Sequence, residues 1–318
     1  MDDTLLQIEL DKKLYEPGEF VTGAVRLKTR VPLNLTKLIL VLSKERIIDV
    51  CNLRVDTVKS GERCRDESNI YEHKFNLFEN LDVGQDLSCG SHVFPFRFSL
   101  RASDNSSTDI RGIYFDYLVN IKNSYKLTCN MFLAGTHEPL FDVNIEIQVI
   151  DRIEKDTEFK INVELSSILC LFYKSYTIYF KLNRSLFFAG DQLILDIDFQ
   201  RMKKHVKEIE CNVYEILSVS SRSINFIRTR YIIGGVAQQK GKGYTVELRI
   251  PSTSASSVSE NEFNLKTVMF LTIYMHKSSP IKIKKYIQVV KKPFEMPQID
   301  YLDVLDGEIF EEKIFIVS

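Results

Sequence analysis

Five histidines, His73, His92, His137, His205 and His276, are the natural carriers of acid–base or metal chemistry, and none has a partner at the spacing such chemistry needs. A zinc site on a helix wants two histidines four residues apart so that both rings meet one ion, and no H-E-x-x-H occurs. The six cysteines, Cys51, Cys64, Cys89, Cys129, Cys170 and Cys211, stand far apart with no C-x-x-C pair, so buried free thiols are expected. No G-x-S-x-G elbow is present to expose a nucleophilic serine. Asp196 and Asp198 resemble a carboxylate pair, but two acids two apart on an alternating strand share its solvated face. The run GGVAQQKGKG (234–243) lacks phosphate-loop spacing and precedes a strand pattern where a helix should begin, so it reads as a hairpin. No catalytic, cofactor-binding or metal-binding residue emerges, and no enzyme and no cofactor are expected. An enzyme or carbohydrate binder of this class would need converging polar residues that the sequence does not name. Binding remains. Lys12 with Lys13 and Lys203 with Lys204 fall in predicted turns, where long cationic side chains reach outward toward phosphate, anionic lipid or a cargo segment.

The elements that position these residues are strands. Around Pro17 the chain reads LYEPGEFVTGAVRL, and around Gly190 it reads LFFAGDQLILDIDF. Glycine takes a positive φ cheaply and the acid after it can accept from nearby backbone N–H groups, so each copy predicts a tight turn delivering a half-buried strand. A second echo, IEIQVI ending at Ile150 and KYIQVV ending at Val290, closes each half. The expectation is an all-β protein of two tandem immunoglobulin-like antiparallel sandwiches: residues 1–150, a charged linker at 151–158, residues 159–290, and an acidic tail at 291–318. The stretches 56–69 and 99–112 are charged or turn-rich and are expected on the surface.

Composition bounds the partners. Lys plus Arg total 42 against 43 Asp plus Glu, a net charge of -1, so no global field gathers nucleic acid, and lipid contact must be local and weak. The N-terminus has no apolar stretch of signal length, and no segment approaches the roughly 20 apolar residues of a spanning helix, so a cytoplasmic protein is expected. Two short signals could recruit coats: Leu5 to Glu9 fits a clathrin-box pattern, and Tyr301 to Val304 a tyrosine-based adaptor signal. Ile314, Phe315, Ile316 and Val317 form a β-prone end behind a run of acids, predicted to fold back as an added strand that brings those acids near Lys12 and Lys13.

The run DKKLYEPGEFVTGAVRL, then LTKLILVL, CGSHVFPFRFSL and RGIYFDYLVNI, resembles the amino-terminal domain of the arrestin family, most closely its alpha-arrestin branch. The matching positions are Tyr15, Pro17, Gly18, Glu19, Val21, Gly23, Val25, Gly90, His92, Phe94, Pro95, Phe96, Gly112 and Tyr114. The second half resembles the carboxy-terminal arrestin domain through Ala189, Gly190 and Asp191. The resemblance implies a non-catalytic scaffold that grips cytosolic tails of membrane-protein cargo and recruits trafficking machinery at the plasma membrane or endosomes. A retromer-type coat subunit of the same fold is the alternative. Arg101 follows Leu100 where the branch usually has proline, and no Pro-Pro-x-Tyr occurs, so any link to ubiquitination machinery is indirect. The buried Arg and Asp cluster of visual and beta-type arrestins is not legible, while Lys12 and Lys13 stand roughly where those relatives place phosphate-sensing lysines.

Overall fold

The computed structural model describes residues 4–53, 63–79, 87–152, 156–166, 173–220, 224–241, 243–260, 262–276, 278–292 and 312–314. Tyr301, Val304, Phe315, Ile316 and Val317 lie outside them, as does Cys170.

The first half holds β1 (Thr4–Leu10), β2 (Leu14–Tyr15), β3 (Phe20–Thr29), β4 (Leu35–Asn52), β5 (Arg63–Glu79), β6 (Gly90–Ser99), β7 (Thr108–Tyr114), β8 (Tyr117–Leu133) and β9 (Phe141–Val149). The second holds β10 (Glu158–Ser166), β11 (Tyr173–Leu182), β12 (Leu186–Phe188), β13 (Gln192–Asp198), a 3-10 helix (Gln200–His205), β14 (Val206–Ser220), β15 (Asn225–Val236), β16 (Gln238–Lys240), β17 (Gly243–Arg249), β18 (Val258–Ser259), β19 (Phe263–Met275) and β20 (Ile281–Val290). β21 (Glu312–Ile314) follows in the tail. Each half is a sandwich: β1-β3-β6-β21 faces β2-β9-β8-β4-β5, and β10-β11-β13-β17-β16 faces β12-β20-β19-β14-β15. The alternation predicted from the repeat is what fills the two cores. Val21, Val25 and Leu27 bury against Leu40, Leu127 and Cys129 in the first, and Leu193, Leu195 and Ile197 against Cys211, Val213 and Leu271 in the second.

The repeated turn has the same build in both halves. Gly18 and Gly190 have φ of 82° and 93°, the left-handed region that other residues enter only with strain. The carboxylate of Glu19 accepts from the Glu16 N–H at 2.6 Å, and that of Asp191 from the Phe188 N–H at 3.0 Å. Gly23 has a different reason to be glycine: a β-carbon there would sit 2.1 Å from the Glu9 carbonyl oxygen and 2.7 Å from Phe96.

Three departures from the sequence expectations have physical causes. The sheets are not wholly antiparallel, because the strand opening each repeat runs parallel to the strand that closes it. Leu14 lies opposite Gln148, and Leu186 opposite Gln288. β21 also runs parallel, with Glu312 opposite Ser91 and Ile314 opposite Val93, at the sheet edge away from β1, the strand that leads to Lys12. Part of the segment 56–69 is strand rather than connection, since β5 begins at Arg63 and pairs with β4. The segment 99–112 is only partly at the surface: Ser99, Arg101, Ala102, Ser103 and Arg111 are exposed, whereas Asp104, Ser106 and Thr108 are buried where the chain passes the seam between the sandwiches.

Candidate functional site: basic turns and a buried domain junction

Each predicted lysine pair divides into one residue that serves the fold and one that does not. Lys12 Nζ pairs with Glu19 at 2.7 Å and lies 4.9 Å from the Tyr15 ring centre. Arg184 pairs with Asp191 at 2.7 Å in the second turn, so a cation on the turn acid is a property of the repeat. Hydrogen bonds from Tyr15 and Thr22 reach the Asp11 carboxylate beside it. The slight burial of Asp11 pushes its pKa up, and these bonds overcome that and leave it below the ordinary value. Lys13 is exposed. In the other pair, Lys203 donates to the Gly241 carbonyl at 3.1 Å and faces the Tyr244 ring at 5.7 Å, while Lys204 is exposed. The first pair lies between β1 and β2 and the second on the 3-10 helix of the other domain, and among the described residues no contact joins them.

The contacts least visible in the sequence lie between the domains. Ile48, Val50, Ile110, Tyr114, Val119 and Ile121 of the first sandwich share one buried cluster with Leu217, Val219, Phe226, Ala255, Phe263 and Leu265 of the second. Tyr117 stacks on Phe226 at 4.1 Å, and Arg228 pairs with Asp116 at 3.1 Å. Residues 103–109 (SDNSSTD) and 252–260 (STSASSVSE) meet here with their repeats in reciprocal roles. Ser107 N–H donates to the Val149 carbonyl at 2.7 Å, and Ser257 N–H to the Val289 carbonyl at 2.8 Å. Gln148 donates to the Lys291 carbonyl and Gln288 to the Asp151 carbonyl, both at 2.8 Å. Serine is frequent in these segments because buried backbone groups at the seam require short hydroxyl partners.

Two ionic groups are sealed into this junction. Glu215 of β14 is 0% exposed, and its Oε2 accepts from Tyr114 Oη of β7 at 2.9 Å and from Arg230 Nε of β15 at 3.0 Å. Its Oε1 accepts from the Ala255 N–H at 3.3 Å. Burial, reinforced by the Glu215 charge, pushes the Tyr114 hydroxyl well above the usual tyrosine range. The second group centres on Lys44 of β4, buried 4.0 Å from Asp104 and 5.0 Å from the Tyr125 ring centre. Tyr71 donates to Asp104 at 2.9 Å, Asn123 donates to Glu260 of the second domain at 2.9 Å, and Arg46 pairs with Glu262 at 3.0 Å. Burial drives the Lys44 pKa down against the pull of Asp104 and Glu260, and drives that of Glu260 up against Lys44. Its members sit on five separate segments, so no local pattern of residues marks the network.

Elsewhere the thiols depart from expectation. Cys129 and Cys211 are buried free thiols whose pKa is pushed up to about 12 by burial, but Cys89 is exposed because it sits in the turn before β6. Among the described residues no group of three or more histidine, cysteine, aspartate or glutamate side chains stands where it could hold a metal ion.

Residues 6–130, spanning β1 through most of β8, match the family model for the arrestin (or S-antigen) N-terminal domain. The first domain is an arrestin N-terminal domain. No curated protein matches the chain. In this arrestin domain the resemblance residues do structural work: Gly23 admits the β1 backbone, Phe94 and Phe96 fill the core, and Tyr114 closes the junction on Glu215. His92, buried, shares a hydrogen bond with the Ser88 carbonyl at 2.8 Å. The clathrin-box-like residues Leu5 to Glu9 lie within β1, their backbone paired with β3.

Proposed function

We propose that this chain is a non-catalytic adaptor of protein trafficking, working in the cytoplasm at the plasma membrane or endosomes and binding cytosolic tails of membrane proteins. The reading rests on the arrestin domain at residues 6–130, joined to a second sandwich through a buried ionic and apolar seam. Such a seam makes one platform of two domains, which suits holding a cargo segment against sorting machinery. Within this reading Lys13 and Lys204 supply the contacts to phosphate, acidic cargo or anionic lipid, and Lys12 and Lys203 hold the turns that present them. The tail docks by strand addition, as the pairing of β21 with β6 suggests, and covers the open β6 edge, to which an extended cargo segment would otherwise add.

Proximity labelling of the full chain in its native cell tests the proposal. Recovery of membrane proteins and sorting components supports the adaptor, a stable stoichiometric coat complex supports the retromer-type alternative, and a set without membrane or coat proteins refutes both. Removing residues 299–318 should raise binding of the recovered cargo tails, and unchanged affinity would dismiss the masking role.

A further inference from the structure

The outward face of β15-β14-β19-β20 is not the polar surface that a sandwich ordinarily shows to water. Strand register places Tyr231, Tyr214, Val268 and Tyr286 in one row across the four strands. Val268 is 0% exposed yet belongs to no core cluster, because the rings around it cover it from the solvent side. Tyr214 meets Tyr231 edge-on at 5.5 Å and Phe270 at 5.6 Å. Gly234 makes room for the outermost ring, since a β-carbon there would come within 2.8 Å of the Tyr231 hydroxyl. The rings are therefore held in place before any ligand arrives, while Tyr231 and Tyr286 remain 57% and 47% exposed. Lys284 lies 4.9 Å from the Tyr286 ring centre and Lys266 lies 5.4 Å from it. Both ammonium groups are exposed, and among the described residues neither forms an ion pair with a carboxylate.

The first domain provides an internal control. β9 and β20 occupy the same place in the repeat and alternate between exposed and half-buried positions in the same way, yet Asp142, Asn144 and Glu146 stand in β9 where Lys282, Lys284 and Tyr286 stand in β20. One strand inward, Lys126 and Thr128 take the slots of Val268 and Phe270. The fold is thus satisfied by polar side chains at these positions, and packing alone does not account for the aromatic and basic set.

We propose that this face docks an extended acidic peptide carrying aromatic or apolar side chains. Carboxylates would meet Lys266 and Lys284, and alternate side chains would lie on the rings. The choice of peptide follows from the sheet edge: β12 pairs only with Gln288 to Val290, leaving β20 from Ile281 to Tyr286 without a strand partner on that side among the described residues. An extended peptide can follow that open backbone past Lys284 and Tyr286 and then cross the face along the row to Tyr231, whereas a nucleic acid would face the Glu208 and Glu210 carboxylates at the end of the same face. The face lies outside residues 6–130 and stands or falls independently of the adaptor reading.

The test uses the full chain and a fluorescent peptide of alternating glutamate and tyrosine, about twelve residues long to span the face at roughly 3.3 Å per residue. A glutamate–serine peptide and oligo(dT) serve as comparators, all read by anisotropy. Expected is binding of the glutamate–tyrosine peptide about tenfold tighter than of the glutamate–serine one. Lys266→Glu with Lys284→Glu, and separately Tyr231→Ala with Tyr286→Ala, should each weaken it about tenfold with an unchanged unfolding midpoint, while Lys126→Glu in the first domain should have no effect. No binding, equal affinity for both peptides, indifference to the four substitutions, or equally tight oligo(dT) binding through the same lysines would overturn the proposal.

Discussion

Replacing Glu215 by alanine tests whether the two sandwiches are one mechanical body. The carboxylate is fully buried and accepts from Tyr114, from two nitrogens of Arg230 and from the Ala255 N–H. Breaking a buried ion pair from one side costs about 3–5 kcal/mol, because the surviving charge loses its partner without regaining water. Here the Arg230 side chain is 32% exposed, so its guanidinium rehydrates in part, which points to the lower end for that component. The Tyr114 hydroxyl has no such escape, and an orphaned buried donor adds about 1–3 kcal/mol. The expected loss is therefore about 4 kcal/mol. Tyr114→Phe alone removes one hydrogen bond and should cost about 1 kcal/mol, and in that background Glu215→Ala should cost correspondingly less. The chain has no tryptophan, so urea unfolding is followed by tyrosine fluorescence and far-UV circular dichroism. Wild type should unfold with coincident transitions by both probes, and the variant should separate into two. A loss under about 1 kcal/mol, or strict additivity with Tyr114→Phe, would refute the idea that this carboxylate fastens the domains.

Gly23→Ala should destabilise at the top of the usual overpacking range, about 3 kcal/mol, with hydrogen exchange rising first in β1, since the new carbon strikes the Glu9 carbonyl. Burial raises the pKa of Glu260 above 4.5, so the folded state holds its proton more tightly than the unfolded chain does. That contribution to stability falls as pH rises from 4.5 through the raised value, and Glu260→Gln should reduce the loss seen between mildly acidic and neutral pH in pH-dependent unfolding. Lys12→Ala removes an exposed pair and should cost less than about 1 kcal/mol, whereas Lys13→Ala should leave the unfolding midpoint unchanged and weaken binding to vesicles of anionic lipid. A thiol reagent should label Cys89 in the folded protein and reach Cys129 and Cys211 only on unfolding, as mass spectrometry of labelled peptides would show.

The two sandwiches were legible because their signal is local and repeated. A turn glycine, an acid three residues past the backbone donor it holds, and side chains alternating for seven to ten residues all act over distances the chain spans within one motif. The candidate lysines were legible as charge in turns, but their division into structural and available members was not. That Lys12 is committed to Glu19 depends on how the turn folds back over seven residues. Polar composition misled within residues 99–112, because the partners that let Asp104, Ser106 and Thr108 be buried are distant in sequence: Lys44 and Tyr71 for Asp104, Asp151 for Ser106 and Ser256 for Thr108. The aromatic row was hidden for a related reason: Tyr214, Tyr231, Val268 and Tyr286 are spread over more than seventy residues and meet only through strand register.

Strand periodicity, the turn chemistry of Gly18 and Gly190, and the bracketing repeat were enough to specify an all-β chain of two similar domains, since backbone sterics and alternate burial are decided within a few residues. Folding in three dimensions alone decided that the domains share a core, that Glu215 and Lys44 are sealed at its margin, and that one sheet face is aromatic and basic while its counterpart is polar. Burying a charge or assembling a surface requires partners distant in sequence, and their meeting is set by packing rather than by any local pattern.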